Sequence, residues 1–429
     1  MTRWRWLSLL IVAVLALAFV WLWLSGSRQP VPRSASKVSA ATLADPQLIT
    51  RGKYLATAGD CAGCHTARGG QPYAGGRVLA TPFGDIPVPN ITPDGQTGLG
   101  DWSFEDFWQA LHAGKGRHSE LLYPAFSYTS YTRVHRADAL AIFAWLQSLE
   151  PVHQPDRAPS LAFPYSVRNS LKVWRALYFR VGEFKPDSAK SAAWNRGAYL
   201  VQGLGHCNEC HAARDAFGGT PRNTQLAGGQ IPMQNWYAPD LSSASNGGLE
   251  GWSAQDIVDL LKTGRSARGA AFGPMAAVVS GSTQYMTDAD LHAIAIYLQS
   301  LPARAPPPSV ATRFDAGPLL ARGGRVYARH CADCHGDHGE GVAGVYSPLD
   351  GNSSVTEPTG TNSTRMVLLG GFAPVTAANQ RPYSMPPFAQ TLSDDDVSAV
   401  VSYIRRSWSN HGSVVRARQV RELRHTPID

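Results

Sequence analysis

The chain has 429 residues, a length that predicts about three domains at roughly 150 residues each. Hydrophobic residues make up 44% of the sequence, which excludes a largely disordered chain and allows buried cores. The formal charge of +7 could suggest a nucleic-acid-binding protein, but the body of the chain contains no basic cluster interleaved with aromatic residues. We therefore predict no nucleic-acid partner.

The first element is an apolar run from Trp6 to Leu24, nineteen uncharged residues that could just span a bilayer as a helix. The small residues that could form a signal-peptide cleavage site lie far from this run, which favours a retained anchor. We predict a transmembrane anchor at 1–25, with Arg3 and Arg5 on the cytoplasmic side and the rest of the chain outside. A flexible tether rich in Ser, Ala and Pro follows at 26–45.

The sequence C-x-x-C-H occurs three times, at 61–65, 207–211 and 331–335, and uses every cysteine of the chain. On a helix, residues three and four apart share one face. Two thiols can therefore bond to the vinyl groups of a haem while the adjacent imidazole reaches its iron. Zinc sites, redox dithiols and disulfides were considered, but none explains a His directly after every second Cys.

The motif therefore predicts three covalently bound haem c groups. Their propionates, about six negative charges, would offset most of the positive charge of the chain. The predicted attachment residues are Cys61, Cys64, Cys207, Cys210, Cys331 and Cys334, and the predicted axial histidines are His65, His211 and His335.

Each motif follows a helix-like segment that contains Arg-Gly, and each domain ends in a periodic helix with a polar start. The predicted fold class is all-α, with three tandem cytochrome c-like haem domains after an N-terminal transmembrane helix. The segment before the second domain is too aromatic for a free linker, so we expect it to pack across the first two domains or against a partner. The predicted divisions are domain 1 at 46–150, an aromatic connecting segment at 151–190, domain 2 at 191–302, a Pro-rich linker at 303–315, domain 3 at 316–410 and a basic tail, read as a surface extension, at 411–429.

The sixth ligand of each haem iron decides whether the haem only transfers electrons or also binds and reacts with small molecules. Met275 and Met385 lie in loops ahead of the last helix of domains 2 and 3, and we predict that both coordinate iron. Domain 1 contains no Met and carries Phe126 at the corresponding place, and a phenyl ring cannot coordinate iron.

Histidine is the expected replacement in domain 1, and His118 in a glycine-containing loop is our tentative choice. The other candidates are His112, which we assign to a helix, and His135 and His153, which we assign to the surface. An open or water-bound iron is the remaining alternative.

The chain resembles the tri-haem cytochrome c subunit of bacterial membrane-bound dehydrogenases that oxidise alcohols, gluconate, sorbitol or aldehydes in the periplasm. Beyond the three motifs, the resemblance rests on four segments: 196–200 before 205–207, 273–276, 282–285 and 121–131. It implies that haems take electrons from a catalytic subunit dependent on molybdenum, PQQ or a flavin and pass them to ubiquinone or a terminal oxidase. It also implies an inner-membrane location with the haem domains in the periplasm. Family members commonly carry Met where this chain has Phe126.

Two functions stay open at this point. The first is an electron-relay subunit without substrate chemistry, because no Ser-His-Asp set, nucleotide loop or convergent carboxylate pair stands out. The second is a peroxidase-like haem enzyme, or a sensor, that uses an open iron site in domain 1.

Overall fold

The computed structural model describes residues 2–27, 37–242, 248–304 and 316–426. The helices are α1 (Thr2–Ser27), α2 (Ala40–Leu43), α3 (Pro46–Ala58), α4 (Cys61–His65), α5 (Phe104–Ala113), α6 (Tyr128–Tyr131), α7 (Arg136–Gln147), α8 (Leu171–Tyr178), α9 (Ala192–Tyr199), α10 (Ala254–Thr263), α11 (Pro274–Gly281), α12 (Asp288–Gln299), α13 (Gly317–His330), α14 (Ala332–His335), α15 (Ser353–Thr356), α16 (Thr361–Leu369), α17 (Asp394–Arg406) and α18 (Ala417–Arg424). The strands are β1 (Val78–Thr81), β2 (Gly84–Pro87), β3 (Ser160–Leu161), β4 (Gly229–Ile231), β5 (Trp236–Ala238), β6 (Arg265–Ser266), β7 (Gly269–Ala270), β8 (Gly371–Phe372) and β9 (Ser384–Met385).

In each domain the first long helix crosses the last one at the glycine of the Arg-Gly pair. A Cβ at this glycine would clash with a backbone carbonyl of the partner helix, so only glycine permits the close approach. The pairs are α3 with α7 (Gly52 against Ala141), α9 with α12 (Gly197 against Ala293) and α13 with α17 (Gly323 against Ala399).

The arginine beside each glycine locks the same crossing. Its guanidinium binds an aspartate in the first turn of the partner helix, where a negative charge also favours the helix N-terminus. The ion pairs are Arg51 with Asp138, Arg196 with Asp290 (2.7 Å) and Arg322 with Asp396 (2.9 Å).

The predicted all-α fold is wrong, because short antiparallel strands accompany the helices. β1, β2 and β3 form one sheet, and β4–β5, β6–β7 and β8–β9 form two-stranded pairs. Strands of two to four residues are too short to show an alternating pattern, so sequence periodicity could not reveal them. Several lie beside the predicted haem motifs and position the loops around them.

The predicted transmembrane anchor is also wrong. Within the described ranges, no helix combines the length and the apolar character needed to cross a bilayer. The run does form a helix, α1, but α1 packs along α8, and the Lys172 ammonium lies 4.7 Å from the centroid of the Trp23 ring. An uncharged run also suits packing against another helix, and its length alone does not distinguish this packing from a membrane span. Of the predicted tether, 28–36 lies outside the described residues, as does 305–315 of the predicted linker.

The aromatic connecting segment packs across domains 1 and 2, as predicted. On the domain 1 side, the Phe179 ring lies 4.8 Å from the Tyr128 ring, edge to face. On the domain 2 side, the Tyr178 hydroxyl donates to Asp215 Oδ2 at 2.6 Å, and the Trp174 indole N–H donates to a backbone carbonyl at 3.1 Å. Strand β3 also joins this segment to the domain 1 sheet.

The predicted basic tail is not a surface extension over its described part, 411–426. Helix α18 folds back onto α16 and α17 and buries Val420 completely. Arg424 pairs with Asp394 at 2.8 Å and donates to the Leu392 carbonyl at 2.9 Å. Arg424 therefore serves as an internal partner, a role that net charge could not indicate, whereas Arg418 and Arg421 stay largely exposed.

Domains 1 and 2 share one hydrophobic core, and two reciprocal hydrogen bonds join them. The Tyr54 hydroxyl of domain 1 donates to Asp290 of domain 2 at 2.6 Å, and the Tyr199 hydroxyl of domain 2 donates to Asp138 of domain 1 at 2.6 Å. Domain 3 has its own core and contacts domain 2, where the Asn362 side chain makes two hydrogen bonds to the backbone of Tyr237.

We predict that Tyr199→Phe destabilises the protein by about 2 kcal/mol, because a buried carboxylate loses a charge-assisted hydrogen bond. Tyr199 is only 3% exposed, so water cannot replace the lost donor. The measurement is the free energy of unfolding in urea. The matched control is Tyr285→Phe, whose ring is 61% exposed and which should stay near wild type. Equal stability of the two variants would contradict the role of this bond.

Candidate haem-binding sites

Each C-x-x-C-H segment begins just after the first long helix of its domain. In domains 1 and 2 the residue before the first cysteine, Asp60 or His206, has a left-handed backbone (φ 47° and 38°), which turns the chain sharply into the motif. Residues 61–65 then form one helical turn, 207–209 a 3₁₀ turn and 332–335 a helical turn. In domain 1 both cysteines and the histidine thus lie within one helical turn, whereas in domain 2 the turn ends before Cys210 and in domain 3 the turn begins after Cys331.

The three motif histidines share one hydrogen-bond arrangement. Nδ1 lies 2.8 Å from the Pro89 carbonyl oxygen for His65, 2.7 Å from that of Pro239 for His211 and 3.1 Å from that of Ser347 for His335. A carbonyl can only accept, so Nδ1 carries the proton and Nε2 keeps a free lone pair. A bond of this kind fixes the tautomer and orientation of a metal-binding imidazole.

Burial keeps these histidines neutral. It lowers the pKa of His65 to about 4, despite the opposing effect of the bond to Pro89. Burial likewise lowers the pKa of His211 and of His335. A neutral imidazole is the form that coordinates iron.

The cysteines are unsuited to dithiol chemistry. Burial raises the pKa of Cys61 and of Cys207 to about 12, whereas a reactive dithiol needs a lowered pKa. None of the six cysteines is paired with another in a disulfide. In the described ranges no group of three or more His, Cys, Asp or Glu side chains could hold a metal ion such as zinc. These observations disfavour the alternatives considered above for the motif.

In domain 2 the motif opens onto a large apolar cavity of about 1620 Å³, its open mouth included. Cys207, Cys210 and His211 line it together with Met275, so the structure brings together the predicted attachment residues and the predicted sixth ligand. Met275 is the second residue of α11, after Gly273 with its left-handed φ of 53°. The wall between them is mainly aliphatic and aromatic, and includes Trp236, Leu260, Ile294 and Leu298. This lining suits a flat apolar macrocycle, so the residues fit a haem.

In domain 3, Met385 lies in β9, which pairs with β8 through Gly371. Met385 and Phe388 pack against the same core cluster as Cys331 of the motif. Met385 and the domain 3 motif therefore share one core, although Met385 lies in a strand rather than in the expected loop, and its coordination of iron stays a prediction.

In domain 1, Phe126 lies in the loop where the sixth ligand was expected. Its ring lies 5.6 Å from the Tyr131 ring, and the Tyr131 hydroxyl donates to the Gly59 carbonyl at 3.1 Å, two residues before the motif. Phe126 and Cys61 pack against the same core. An aromatic cluster thus lies where domains 2 and 3 offer methionine.

His118 lies at the exposed tip of a hairpin closed by the bridge between Lys115 and Leu121. Its backbone N–H donates to the Glu120 carboxylate at 3.0 Å. The structure does not bring its imidazole to Phe126 or Cys61, so coordination by His118 stays a prediction that requires the hairpin to move.

The other three histidines have partners elsewhere. His112 belongs to α5, as predicted, and stacks on Trp108 at 4.3 Å. His135 is half-buried between domains 1 and 2, stacked on Tyr199 at 4.8 Å. His153 is exposed, with Nδ1 3.5 Å from Asp94.

The sequence analysis missed the carbonyls that orient the histidines and the contact between the first two motifs. The sequence did contain a signal for the carbonyls of Pro89 and Pro239, because similar segments begin at these two prolines in domains 1 and 2. The residues just before the first two motifs meet, because a His206 ring nitrogen lies 3.2 Å from the Gly59 carbonyl oxygen. Burial raises the pKa of Asp60 to about 6, and the charge of His206 opposes this rise. Only the tertiary structure shows that these residues meet.

Comparison with known proteins agrees with this geometry. The cytochrome c family model matches residues 49–150, 195–302 and 320–408. The chain is 40% identical over 403 residues to the cytochrome c subunit of alcohol dehydrogenase (quinone) from Gluconobacter oxydans, covering 89% of this chain and 83% of that subunit.

Two further relatives match over similar lengths. The gluconate 2-dehydrogenase cytochrome c subunit of Pantoea cypripedii is 38% identical over 411 residues, 90% of this chain and 92% of that subunit. The fructose dehydrogenase cytochrome subunit of Gluconobacter japonicus is 34% identical over 427 residues, 92% of this chain and 85% of that subunit. The chain therefore belongs to the cytochrome c family, in the group that contains the cytochrome c subunits of bacterial dehydrogenases.

Proposed function

We propose that this chain is a tri-haem electron-relay subunit of a dehydrogenase complex. It would take electrons from a catalytic subunit, dependent on molybdenum, PQQ or a flavin, and pass them to a quinone or a downstream oxidase. The observation that carries this proposal is the threefold repeat of a buried motif histidine whose Nδ1 donates to a backbone carbonyl. Relatives that match most of the chain are cytochrome subunits of alcohol, gluconate and fructose dehydrogenases.

The residues of each site suit reversible one-electron transfer. Bound haem supplies an iron that alternates between the ferrous and ferric states. In domains 2 and 3 the motif imidazole and the thioether of Met275 or Met385 would hold the group, and these two ligands would suit both states. The apolar lining of the domain 2 cavity excludes water and favours the less charged, reduced state.

The arrangement of the domains favours domain 2 as the centre of the relay. Its motif contacts that of domain 1 through His206 and the Gly59 carbonyl. On its other side, Asn352, Ser353 and Asn362 of domain 3 line the domain 2 cavity. This arrangement would let electrons pass between domain 2 and either outer domain.

We also propose that the haem domains lie in the periplasm. Thioether attachment of haem takes place outside the cytoplasm, and three attachment motifs in one chain support export. The catalytic subunit would share this compartment.

The test of the relay is reduction of the haems by the substrate of the partner. We expect that the chain, isolated with its catalytic subunit from solubilised membranes, shows reduced haem absorption bands when an alcohol, aldehyde or sugar acid is added anaerobically. The control is the same chain separated from its partner, which should stay oxidised. A complex whose catalytic subunit turns over with an artificial dye while the haems stay oxidised would refute the relay.

Met275→Leu and Met385→Leu should each change one of the three haems. Loss of the thioether removes a ligand that favours ferrous iron, so one reduction potential should fall and one haem should become high-spin. Potentiometric titration followed by absorption measures both effects. The control is Met233→Leu, since Met233 is exposed and does not line the domain 2 cavity. Unchanged potentials in either axial variant would remove that assignment.

The Phe126 cluster favours a second candidate function, a haem in domain 1 that binds small ligands and acts on peroxide or senses a gas. We expect the reduced protein to bind carbon monoxide at one of its three haems. If all three haems are low-spin and none binds carbon monoxide, this second function fails. His118→Ala then decides the ligand, because conversion of one haem to high-spin would assign His118 to the iron.

A further inference from the structure

Domain 3 forms part of the wall of the domain 2 cavity. Most of the wall comes from domain 2 itself and is apolar. The residues that domain 3 contributes are all polar, namely Asn352, Ser353, Ser354 and Asn362, and we call them the domain 3 polar group. Polar residues grouped in the wall of a mainly apolar cavity indicate where the polar end of a bound molecule lies.

The domain 3 polar group is held in place by direct contacts with domain 2. The Asn362 side chain accepts the Tyr237 backbone N–H at 2.9 Å and donates to the Tyr237 carbonyl at 2.8 Å, and Tyr237 itself lines the cavity. Asn352 packs against Gly269 in β7, where an added Cβ would lie only 3.0 Å from Asn352 Nδ2. The position of the group relative to the cavity is therefore fixed from both sides of the domain boundary.

The domain 3 polar group keeps unused hydrogen-bond donors. Each Asn amide carries two N–H bonds, and Asn352 uses one for the Pro348 carbonyl, at 2.9 Å, while Asn362 uses one for domain 2. Within the described ranges, the hydroxyls of Ser353 and Ser354 make no hydrogen bond, although Ser353 is only 8% exposed. Buried donors without acceptors cost free energy, so a ligand with acceptor atoms would stabilise this part of the wall.

A haem in domain 2 would offer carboxylates to these donors. Thioether bonds to Cys207 and Cys210 would hold the vinyl edge of the ring at the motif, and the two propionates leave the ring from the opposite edge. Each propionate ends in a carboxylate, whose two oxygens act only as acceptors when it is ionised. The domain 3 polar group supplies donors for these oxygens and lies outside the motif and the turn that precedes it.

A buried cation lies close to the same wall. Arg365 in α16 is 2% exposed, and its guanidinium carbon lies 4.7 Å from the centroid of the Trp236 ring, which lines the cavity. The buried carboxylate of Glu357 is offset by backbone N–H groups of its own segment and by the charge of Arg405. The charge of Arg365 therefore favours ionised carboxylates in the cavity.

Tyr237 of domain 2 adds a further donor. Burial raises the pKa of Tyr237 to about 12, and the charges of Glu357 and Asp240 add to the rise. The phenol group is thus protonated at neutral pH, and a protonated hydroxyl can donate to a carboxylate.

We propose that Asn352, Ser353, Ser354 and Asn362 of domain 3 bind the propionates of the domain 2 haem, so that domain 3 completes the haem site of its neighbour. The inference rests on the haem content of the proposed function. It depends neither on the catalytic partner nor on the direction of electron flow.

The same segment also reaches the predicted haem site of domain 3. The Asn352 amide donates to the Pro348 carbonyl, and the carbonyl of the preceding residue, Ser347, accepts the Nδ1 proton of His335. The segment 347–354 therefore links the propionate end of the domain 2 site to the axial histidine of domain 3.

The test removes the two hydroxyls that make no hydrogen bond within the described residues. When Ser353→Ala is combined with Ser354→Ala, the propionates lose two donors, so more negative charge stays near the iron and the ferric state is favoured. We expect one reduction potential to fall in a potentiometric titration. We also expect the resonance Raman band of the propionate bending mode to move to lower wavenumber. A purely structural role of the two serines would change neither.

The matched control is Ser363→Ala in α16. Its buried hydroxyl also meets no hydrogen-bond partner in the described part of the chain, but it does not line the domain 2 cavity, so all three potentials should stay at wild-type values. Asn352→Ala is a second variant and should lower the same potential as the serine changes. Because it also removes the bond to Pro348, haem content and far-UV spectra check its fold, and the serine variant decides if it does not fold.

Cys207→Ala identifies the haem that responds. A haem with a single thioether bond keeps one vinyl group, which shifts its absorption band, so the domain 2 haem can be titrated at its own wavelength. If this variant loads only two haems, the missing potential identifies the domain 2 haem instead.

Two results would overturn the inference. The first is a double serine variant with wild-type potentials and a wild-type Raman band. The second is a shift in a haem other than that of domain 2. Neither affects the relay, which is judged by reduction of the haems through the catalytic subunit, whereas a wild type with fewer than three haems would contradict the tri-haem function itself.

Discussion

The close crossing of the first and last helix in each domain is the constraint on which the rest of the structure depends. It requires a glycine where a Cβ would meet the carbonyl of the partner helix, and an arginine beside it that pairs with an aspartate across the crossing. The first helix leads towards the C-x-x-C-H motif, and in domains 2 and 3 the last helix follows the segment that carries Met275 (α11) or Met385 (β9). The crossing therefore helps to hold the two sides of these predicted sites together.

The same crossing builds the contact between domains 1 and 2. Asp138 and Asp290, which pair with arginines inside their own domains, each accept a second hydrogen bond from a tyrosine of the other domain. A charge that stabilises one domain thus also joins two, and the two domains share a single core. Domain 3 keeps a separate core and contacts domain 2 over polar groups such as Asn362. Domain 2 therefore contacts both other domains, as the proposed relay requires.

Buried charge is distributed unevenly in the protein, and the distribution follows function. The motif histidines are kept neutral by burial and oriented by backbone carbonyls, so they present a lone pair rather than a charge. Arg405, fully buried in domain 3, is satisfied by backbone carbonyls such as that of Glu357 and serves the fold. Arg175, also fully buried, instead faces the rings of Phe179, at 4.6 Å, and of Tyr128, at 5.4 Å.

The sequence by itself determined the chemistry of the attachment sites, the repeat of three domains and the helices that frame them, because these depend on residues close together in the chain. The C-x-x-C-H spacing needs one helical turn, and the polar starts and apolar stripes of α12 and α17 are local signals. The short strands, the packing of α1 on α8 and the folding back of α18 were decided by tertiary structure, since each depends on a partner far away in the chain. The carbonyls that orient the histidines and the tyrosines that join domains 1 and 2 also depend on long-range contacts. Local periodicity does not reveal such packing: the Tyr199 hydroxyl and Asp138 Oδ2 are 2.6 Å apart although the two residues are separated by 61 positions in the chain.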